Sequence, residues 1–378
     1  MKRIILLWLT AVFVFASCVK SYDNSHIDPE FKEFKMECSS IEICDVVDIL
    51  MNIEIDNSLC QEVFVSVNES INKGLDENLL LRELWMEEAD VKVKSYNPES
   101  ILKRRIEEYL HDRLQTKSDT YQFMDSNIQI YWPYSENWDG ETRPVIAPAT
   151  SMPQDTLIGY RISRDKINGN HHIVDTLLVD DEFAYKNPVW IINYSEYSYD
   201  DIVIRKPDSA VTTKAGGHYK WLITKMQVNK QYDKLSNGAS EFDILCRYPV
   251  SPYMVDADNK TRLLFTRSEI RNEKFKILSE EEGLLNDDWK EEQLSNLFVL
   301  IEYDGGGSAS YVTGSGIQYK DPVSGTIYSL STSFTIEESD TIMLQRNYGR
   351  SYYFQLDHEK EHSIDSGNIV WYSPIIEY

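Results

Sequence analysis

One segment has the residue types and the spacing of a zinc site. His358–His362 reads His-Glu-Lys-Glu-His, which matches the H-E-x-x-H zinc motif and its inverted form H-x-x-E-H. That chemistry needs a helix, because the i, i+4 spacing then brings both imidazoles to one metal. Here the flanking segments Tyr352–Leu356 and Ile369–Tyr372 are typical of strands. We therefore predict an exposed hairpin loop rather than adventitious metal binding or a metallohydrolase site.

A second group of residues resembles part of a calcium site. Asp256 and Asp258 have the spacing that opens a calcium loop, but the Gly at position six and the Glu at position twelve of an EF-hand are absent. The spacing therefore favours a turn. Carboxylates at the ends of sandwich loops can still hold calcium, and Asp304 could join these two. The three aspartates are the metal candidates of a sequence in which we otherwise expect no metal and no cofactor.

Aromatic residues make up 12% of the chain. The densest cluster contains Tyr131, Trp132, Tyr134 and Trp138. Exposed Trp and Tyr faces stack on sugars, so these four residues are candidate glycan ligands, although such residues also fill β cores. No nucleophile, base and orienting group can be matched by their spacing, so no catalytic residue is predicted and a non-enzymatic role is favoured.

The first eighteen residues have the layout of an export signal. Lys2-Arg3 is positively charged, Ile4–Phe15 is apolar apart from one threonine, and the small pair Ala16-Ser17 precedes Cys18. The apolar run is too short for a stable membrane span. The pattern resembles a bacterial lipobox, so we expect lipidation of Cys18 and an outer-membrane lipoprotein, on the periplasmic side or the cell surface. The alternatives are plain secretion and an uncleaved anchor.

Charge and cysteine content limit the partners and the chemistry. The formal net charge is −24, which disfavours nucleic acid and anionic lipid headgroups as partners. An oxidising compartment permits disulfides among the four cysteines other than Cys18, but buried thiols fit the spacing equally well. The four are Cys38, Cys44, Cys60 and Cys246.

The patterning along the chain predicts an α+β fold that is predominantly β. The predicted regions are a signal peptide (1–17), a tether (18–27), a helical region (28–117), a small antiparallel β-rich domain (118–206), a linker (206–218) and a β-sandwich domain (219–378).

Local patterns predict the individual elements. A helix over about 58–73 ends at Gly74, Leu79–Met86 reads as a buried helix, and another helix begins at Asn97-Pro98. The candidate strands of the β-rich domain are Ile128–Trp132, Leu157–Ser163, Ile173–Val179, Val189–Tyr194 and Ile202–Arg205, with connections at 133–156 and at His171-His172. Nine more candidate strands follow between Trp221 and Tyr372.

Two further segments carry a family resemblance. Together with the lipobox, Asn127–Asp139 and Asp181–Asn193 resemble a family of Bacteroidetes lipoproteins with no assigned activity. The resemblance implies an envelope location and a modular architecture, and it implies no site residues.

Three classes of function fit these observations. The leading hypothesis is a membrane-tethered module that binds a glycan or an envelope protein. The alternatives are an extracytoplasmic hydrolase whose site is assembled from distant residues, and a structural component of an envelope assembly.

Overall fold

A computed structural model describes most of the chain after residue 40. The described residues are 41–72, 76–85, 100–114, 126–149, 152–164, 171–195, 219–256, 260–304, 309–356 and 361–377. Several predictions lie outside them: the signal peptide with Cys18, the tether, Cys38, Gly74, Asn97-Pro98, Ile202–Arg205, the 206–218 linker, Asp258 and His358.

The described residues form an α+β structure that is predominantly β, which confirms the predicted fold class. The helices are α1 (Ile43–Asn52), α2 (Asn57–Asn72), α3 (Ile101–Leu114), α4 (Asp181–Lys186), α5 (Arg267–Arg271), α6 (Glu280–Gly283) and α7 (Arg350–Gln355). The strands are β1 (Asn78–Leu80), β2 (Ile128–Tyr131), β3 (Val145–Pro148), β4 (Leu157–Arg164), β5 (His171–Val179), β6 (Val189–Tyr194), β7 (Tyr219–Leu222), β8 (Lys225–Val228), β9 (Ser240–Ser251), β10 (Met254–Asp256), β11 (Lys260–Phe265), β12 (Lys276–Ile277), β13 (Leu284–Asn286), β14 (Ser295–Glu302), β15 (Ala309–Lys320), β16 (Ile327–Glu337), β17 (Thr341–Gly349), β18 (Glu361–Ile364), β19 (Ile369–Tyr372) and β20 (Ile375–Glu377).

The first three helices are amphipathic and pack on one face of a sheet. In α2 the buried residues Leu59, Val63 and Val67 recur every fourth position, which places them on one side of the helix. They share a core with Ile130 of β2 and Ile192 of β6. The predicted helical region and the predicted β-rich region therefore bury their apolar faces against each other.

The first sheet has six strands in the order β1-β2-β6-β3-β4-β5. We predicted an antiparallel sheet, but this sheet is mixed, because β3 runs parallel to β6. Its second face carries a separate core that includes Tyr131, Val145 and Ile191, and it is covered by Ala184 of α4 and by Leu235. Alternate residues of each strand thus enter two different cores, as strand geometry requires.

Three local predictions in this region are wrong. Residues 79–84 form the end of β1 and a 3-10 turn (Leu81–Leu84) instead of a helix, because β1 pairs with β2. A short run that is apolar on every side fits a buried strand as well as a buried helix. Strand β5 begins at His171, where a loop was predicted, and β3 lies inside the predicted 133–156 connection.

The C-terminal region is a β-sandwich, as the strand spacing predicted. One layer is a five-stranded sheet in the order β10-β9-β14-β17, with β11 also paired to β9. The other layer consists of a four-stranded sheet (β12-β8-β19-β18) and a three-stranded sheet (β13-β7-β20). The core between the layers includes Trp221, Trp289, Phe298 and Trp371.

A long hairpin covers the outer face of the five-stranded sheet. Strands β15 and β16 pair along their length, and Ile317 and Phe334 pack on Leu245, Leu297 and Val299. The sandwich therefore has a third, two-stranded layer. Within the part of the chain that is described, no helix is long and apolar enough to cross a bilayer.

The six-stranded sheet and the sandwich meet at residues 233–239, here called the junction segment. The backbone N–H of Ser236 donates to the carbonyl of Gln154 (3.1 Å), and the Ser236 carbonyl accepts from Asn193 Nδ2 (2.9 Å). The described residues from Ile41 onward form one compact unit.

A buried carboxylate and a buried arginine reinforce this junction. Asp76 accepts from the backbone N–H of Ala239 (3.2 Å). Gly238 has φ +111°, and a side chain there would overlap the Asp76 carboxylate, so glycine is required on both grounds. Arg267 of α5 donates to Asp181 Oδ1 (2.9 Å) and to the carbonyl of Asp233 (3.1 Å).

Candidate functional site

The predicted glycan-binding aromatics are core residues. Tyr131, Trp132 and Tyr134 are buried, and Trp138 is half-buried. The Trp132 ring lies 5.4 Å from that of Trp138 and 5.8 Å from that of Trp190. The prediction that Tyr131, Trp132 and Tyr134 stack on a glycan is wrong, because their rings are buried by packing. For the half-buried Trp138 it stays a prediction.

The described part of the predicted histidine loop is not a loop. His362 lies on β18, and the predicted strand Tyr352–Leu356 is mostly helix α7. The imidazole stacks on Trp371 (5.1 Å between ring centres, 17° between planes), and its Nε2 lies 3.1 Å from the hydroxyl of Tyr353. Strand pairing with β19 places His362 opposite Trp371, so the half-buried imidazole is part of the sandwich core.

His362→Ala is therefore expected to lower the free energy of unfolding by about 1–2 kcal/mol, because it removes ring contacts and a hydrogen bond. Urea denaturation measures the change. Ser363→Ala is the matched control: Ser363 is the next residue of β18 and is exposed, and its replacement should cost less than about 0.5 kcal/mol. Equal stability of the two variants would show that the imidazole contributes nothing to the core.

Of the predicted calcium candidates that are described, Asp256 does not belong to the group of carboxylates around Asp304. Asp258 lies outside the described residues, and Asp256 ends β10, where its carboxylate hydrogen-bonds the Tyr248 hydroxyl. Asp304 instead lies beside Glu302 and Asp233. One oxygen from each of these three carboxylates lies within 4.8 Å of the other two. We call Asp233, Glu302 and Asp304 the carboxylate cluster.

Two elements position the carboxylate cluster. Glu302 ends β14 and Asp304 follows two residues later, so strand alternation directs both to the same side. Asp233 opens the junction segment, and its backbone carbonyl is bound by Arg267. The spacing of Glu302 and Asp304 was visible in the sequence, but nothing local connects them with Asp233, 69 positions earlier.

The carboxylate cluster is buried and electrostatically unfavourable as it stands. Asp233 and Glu302 are 5% and 4% exposed. Burial and the charges of Glu302 and Glu241 together raise the pKa of Asp233 to about 9, although Arg267 lowers it. Burial and the neighbouring Asp304 raise the pKa of Glu302 to about 8. Carboxyl groups whose pKa values are raised by burial and by like charges are found at functional sites.

Two of the cysteines are inert. Cys60 and Cys246 are buried and carry free thiols. Burial raises the pKa of Cys60 to about 12 and that of Cys246 further still. A thiol that stays protonated is a poor nucleophile and a poor metal ligand.

One pair of tyrosines lies on the surface. Tyr253, in the turn between β9 and β10, is 85% exposed, and its ring lies 5.8 Å from that of Tyr328 on β16 at an angle of 66°. The hydroxyls hydrogen-bond each other, and the charge on Tyr253 raises the pKa of Tyr328. Met254 and Ile327 beside them are also exposed. We call Tyr253 and Tyr328 the tyrosine pair.

Comparison of the chain with family models, with curated proteins and with solved structures gives no match. The function must therefore be inferred from the carboxylate cluster, the tyrosine pair and the sequence.

Proposed function

We propose that this chain is a membrane-tethered, extracytoplasmic lipoprotein that binds a glycan or a protein of the cell envelope and does not act as an enzyme. The lipobox-like segment ending at Cys18 supports the tether. The binding role rests on a single observation, the surface tyrosine pair of the exposed Tyr253 and the half-exposed Tyr328, in a protein whose other aromatic clusters are largely buried in its cores.

The tyrosine pair suits a sugar ring better than a charged ligand. Each tyrosine offers an apolar face and a polar hydroxyl, which match the C–H face and the hydroxyls of a sugar. The neighbouring Asp321 is held in place by the backbone N–H groups of Val323 and Ser324 (2.8 Å each), and it adds a fixed acceptor. We therefore place a glycan first, with a protein partner as the alternative.

Tyr253→Ala is expected to weaken glycan binding about 10-fold or more, because an exposed aromatic anchor carries a large share of such an interface. A glycan array would identify a ligand, and calorimetry would measure its affinity. Tyr311→Ala is the control: Tyr311 is 83% exposed on the same hairpin, eight residues and roughly 26 Å along β15 from the position opposite Tyr328.

Two results would count against this assignment. A glycan that binds both variants as tightly as it binds the parent protein would place the site elsewhere. If no glycan binds, and an envelope protein is captured by the parent chain but not by Tyr253→Ala, the tyrosine pair is a protein-binding surface.

The carboxylate cluster favours one alternative, an extracytoplasmic hydrolase. Buried carboxyl groups with raised pKa values can act as general acids. A screen against peptide, glycan and ester substrates, with metal added, separates the two functions. Robust turnover that is lost in Glu302→Gln would replace the binding role by catalysis.

A structural role in an assembly has its own supporting observation. Strand β5 is the edge of the six-stranded sheet, and its exposed Leu178 pairs with the exposed Ile158 of β4. Edge strands with exposed apolar residues readily pair with another chain. One stoichiometric partner in a pull-down, lost in Leu178→Lys and kept in Tyr253→Ala, would favour this role.

A further inference from the structure

The carboxylate cluster has the geometry of a site for a hard divalent cation. Its three oxygens lie within 4.8 Å of one another. Separations of this size fit oxygens around one Ca²⁺ ion, which has bond lengths of about 2.4 Å and a flexible geometry, whereas Mg²⁺ demands near-ideal octahedral geometry and is seldom held by protein carboxylates alone. All the donors are carboxylate oxygens, which select Ca²⁺ or Mg²⁺ over softer metals.

The buried oxygens of the carboxylate cluster need a partner. Asp233 is 95% buried, and no described residue donates a hydrogen bond to either of its carboxylate oxygens. Oε1 of Glu302 is buried and likewise has no donor among the described residues. Buried carboxylate oxygens are nearly always hydrogen-bonded or bound to a cation. A bound cation would give both carboxylate oxygens of Asp233 and Oε1 of Glu302 the partner that they need.

The surrounding charge also favours a cation. Glu241 and Asp340 both act on Glu302, which brings the number of interacting carboxylates to five. Asp340 accepts from the backbone N–H groups of Asp304 (3.2 Å) and Glu337 (2.8 Å), which fixes the turn beside the carboxylate cluster. Arg267 lowers the pKa of Asp233. Arg262 is a second cation nearby, which pairs with Asp243 and also interacts with Glu241. The five carboxylates outnumber these two arginines.

We infer that Asp233, Glu302 and Asp304 bind one Ca²⁺ ion. The ion connects the end of β14 to the junction segment, which in turn holds the six-stranded sheet through Ser236 and Ala239. Ca²⁺ therefore stabilises the packing of the sandwich on the six-stranded sheet.

The inference is tested on the purified full-length chain after treatment with a chelator. We expect one Ca²⁺ per chain by calorimetry, and a rise of roughly 5 °C in the thermal midpoint at Ca²⁺ concentrations about 100-fold above Kd. Tb³⁺ should bind in place of Ca²⁺ and luminesce on excitation of the protein, because Tyr232 and Tyr303 adjoin the carboxylate cluster in the chain.

Glu302→Gln is the decisive variant because it keeps the shape of the side chain and removes its charge. Its affinity for Ca²⁺ should fall at least 10-fold, and Ca²⁺ should no longer raise its thermal midpoint. In the presence of chelator its thermal midpoint should lie above that of the parent protein, because the repulsion between the carboxylates is reduced. Asp304→Asn, at a half-exposed position, gives a second test if Glu302→Gln folds poorly. Asp256→Asn, at the carboxylate on β10, is the control and should behave like the parent protein.

Two outcomes would overturn the inference. One is the absence of stoichiometric Ca²⁺ or Tb³⁺ binding by the parent protein at millimolar concentration. The other is binding that survives unchanged in both Glu302→Gln and Asp304→Asn, which would place the ion elsewhere on this acidic surface.

Discussion

Arg267→Met is expected to lower the free energy of unfolding by about 3–5 kcal/mol, because it leaves buried carboxylates without their cation. Arg267 is 3% exposed. Its guanidinium binds Asp181 and the backbone of Asp233, and its charge lowers the pKa of both Asp76 and Glu77. Methionine fills a similar volume, so the loss reports charge and hydrogen bonding rather than a cavity.

The free energy of unfolding that is lost in Arg267→Met should depend on pH. Burial raises the pKa of Asp76 to about 6 and that of Glu77 well above its usual value. Because these folded-state values exceed the unfolded ones, the folded protein holds protons more tightly, and ionisation of Asp76 costs stability as the pH rises from about 4 through about 6. Arg267 offsets that cost. The effect of Arg267→Met should therefore be smaller at pH 5 than at pH 7.

Arg271→Met is the matched control. Arg271 lies one turn further along α5 and is a third exposed, and it pairs with Asp181 (3.6 Å) and Glu182 (2.5 Å) at the rim of the junction. Exposed pairs of this kind contribute at most about 1 kcal/mol. Urea denaturation of both variants at the two pH values measures the difference. If both variants lose the same free energy of unfolding, the buried Arg267 contributes no more to stability than the partly exposed Arg271.

The elements that could be predicted from sequence are those with a local cause. Helix α2 follows from the spacing of Leu59, Val63 and Val67, and β6 follows from the apolar, largely β-branched run Val189–Ile192. Strand β19 alternates between buried and half-buried residues, whereas β14 contains a continuous apolar run because it is buried on both faces. In each case the pattern that drives burial lies within one element.

The elements that could not be predicted depend on distant partners. Leu79 and Leu80 pair with β2 about fifty positions later, and this strand pairing overrides the local helical pattern. Helix α7 replaces a predicted strand because Tyr353 is buried against Trp221 and Trp289. Aromatic content alone could not show which tyrosines remain outside the cores.

The carboxylate cluster likewise could not be predicted from the sequence, because its residues are distant in the chain. Asp304 was a candidate on its own, but its partners in the sequence analysis were Asp256 and Asp258. The sandwich instead brings Asp233 to it from the junction segment. A cation site assembled by tertiary packing has no sequence spacing from which it could be recognised.

Cys18→Ala is expected to transfer the chain from the membrane to the soluble fraction almost completely. Each buried CH₂ group of a lipid chain contributes about 0.8 kcal/mol to membrane binding, so two or more acyl chains anchor a protein firmly and their loss removes the anchor. The described residues contain no helix that could replace it. Detergent-phase partitioning and intact mass measure the change.

The stability of the folded region should not change in this variant, because the cores of the described residues contain residues from Ile41 onward. The thermal midpoint of Cys18→Ala should match that of the parent protein. Cys44→Ala, at an exposed cysteine of α1, is the control and should remain in the membrane with its lipid mass unchanged. If Cys18→Ala stays in the detergent phase, or if the parent protein carries no lipid mass, the tether proposal is wrong and plain secretion or an uncleaved anchor takes its place.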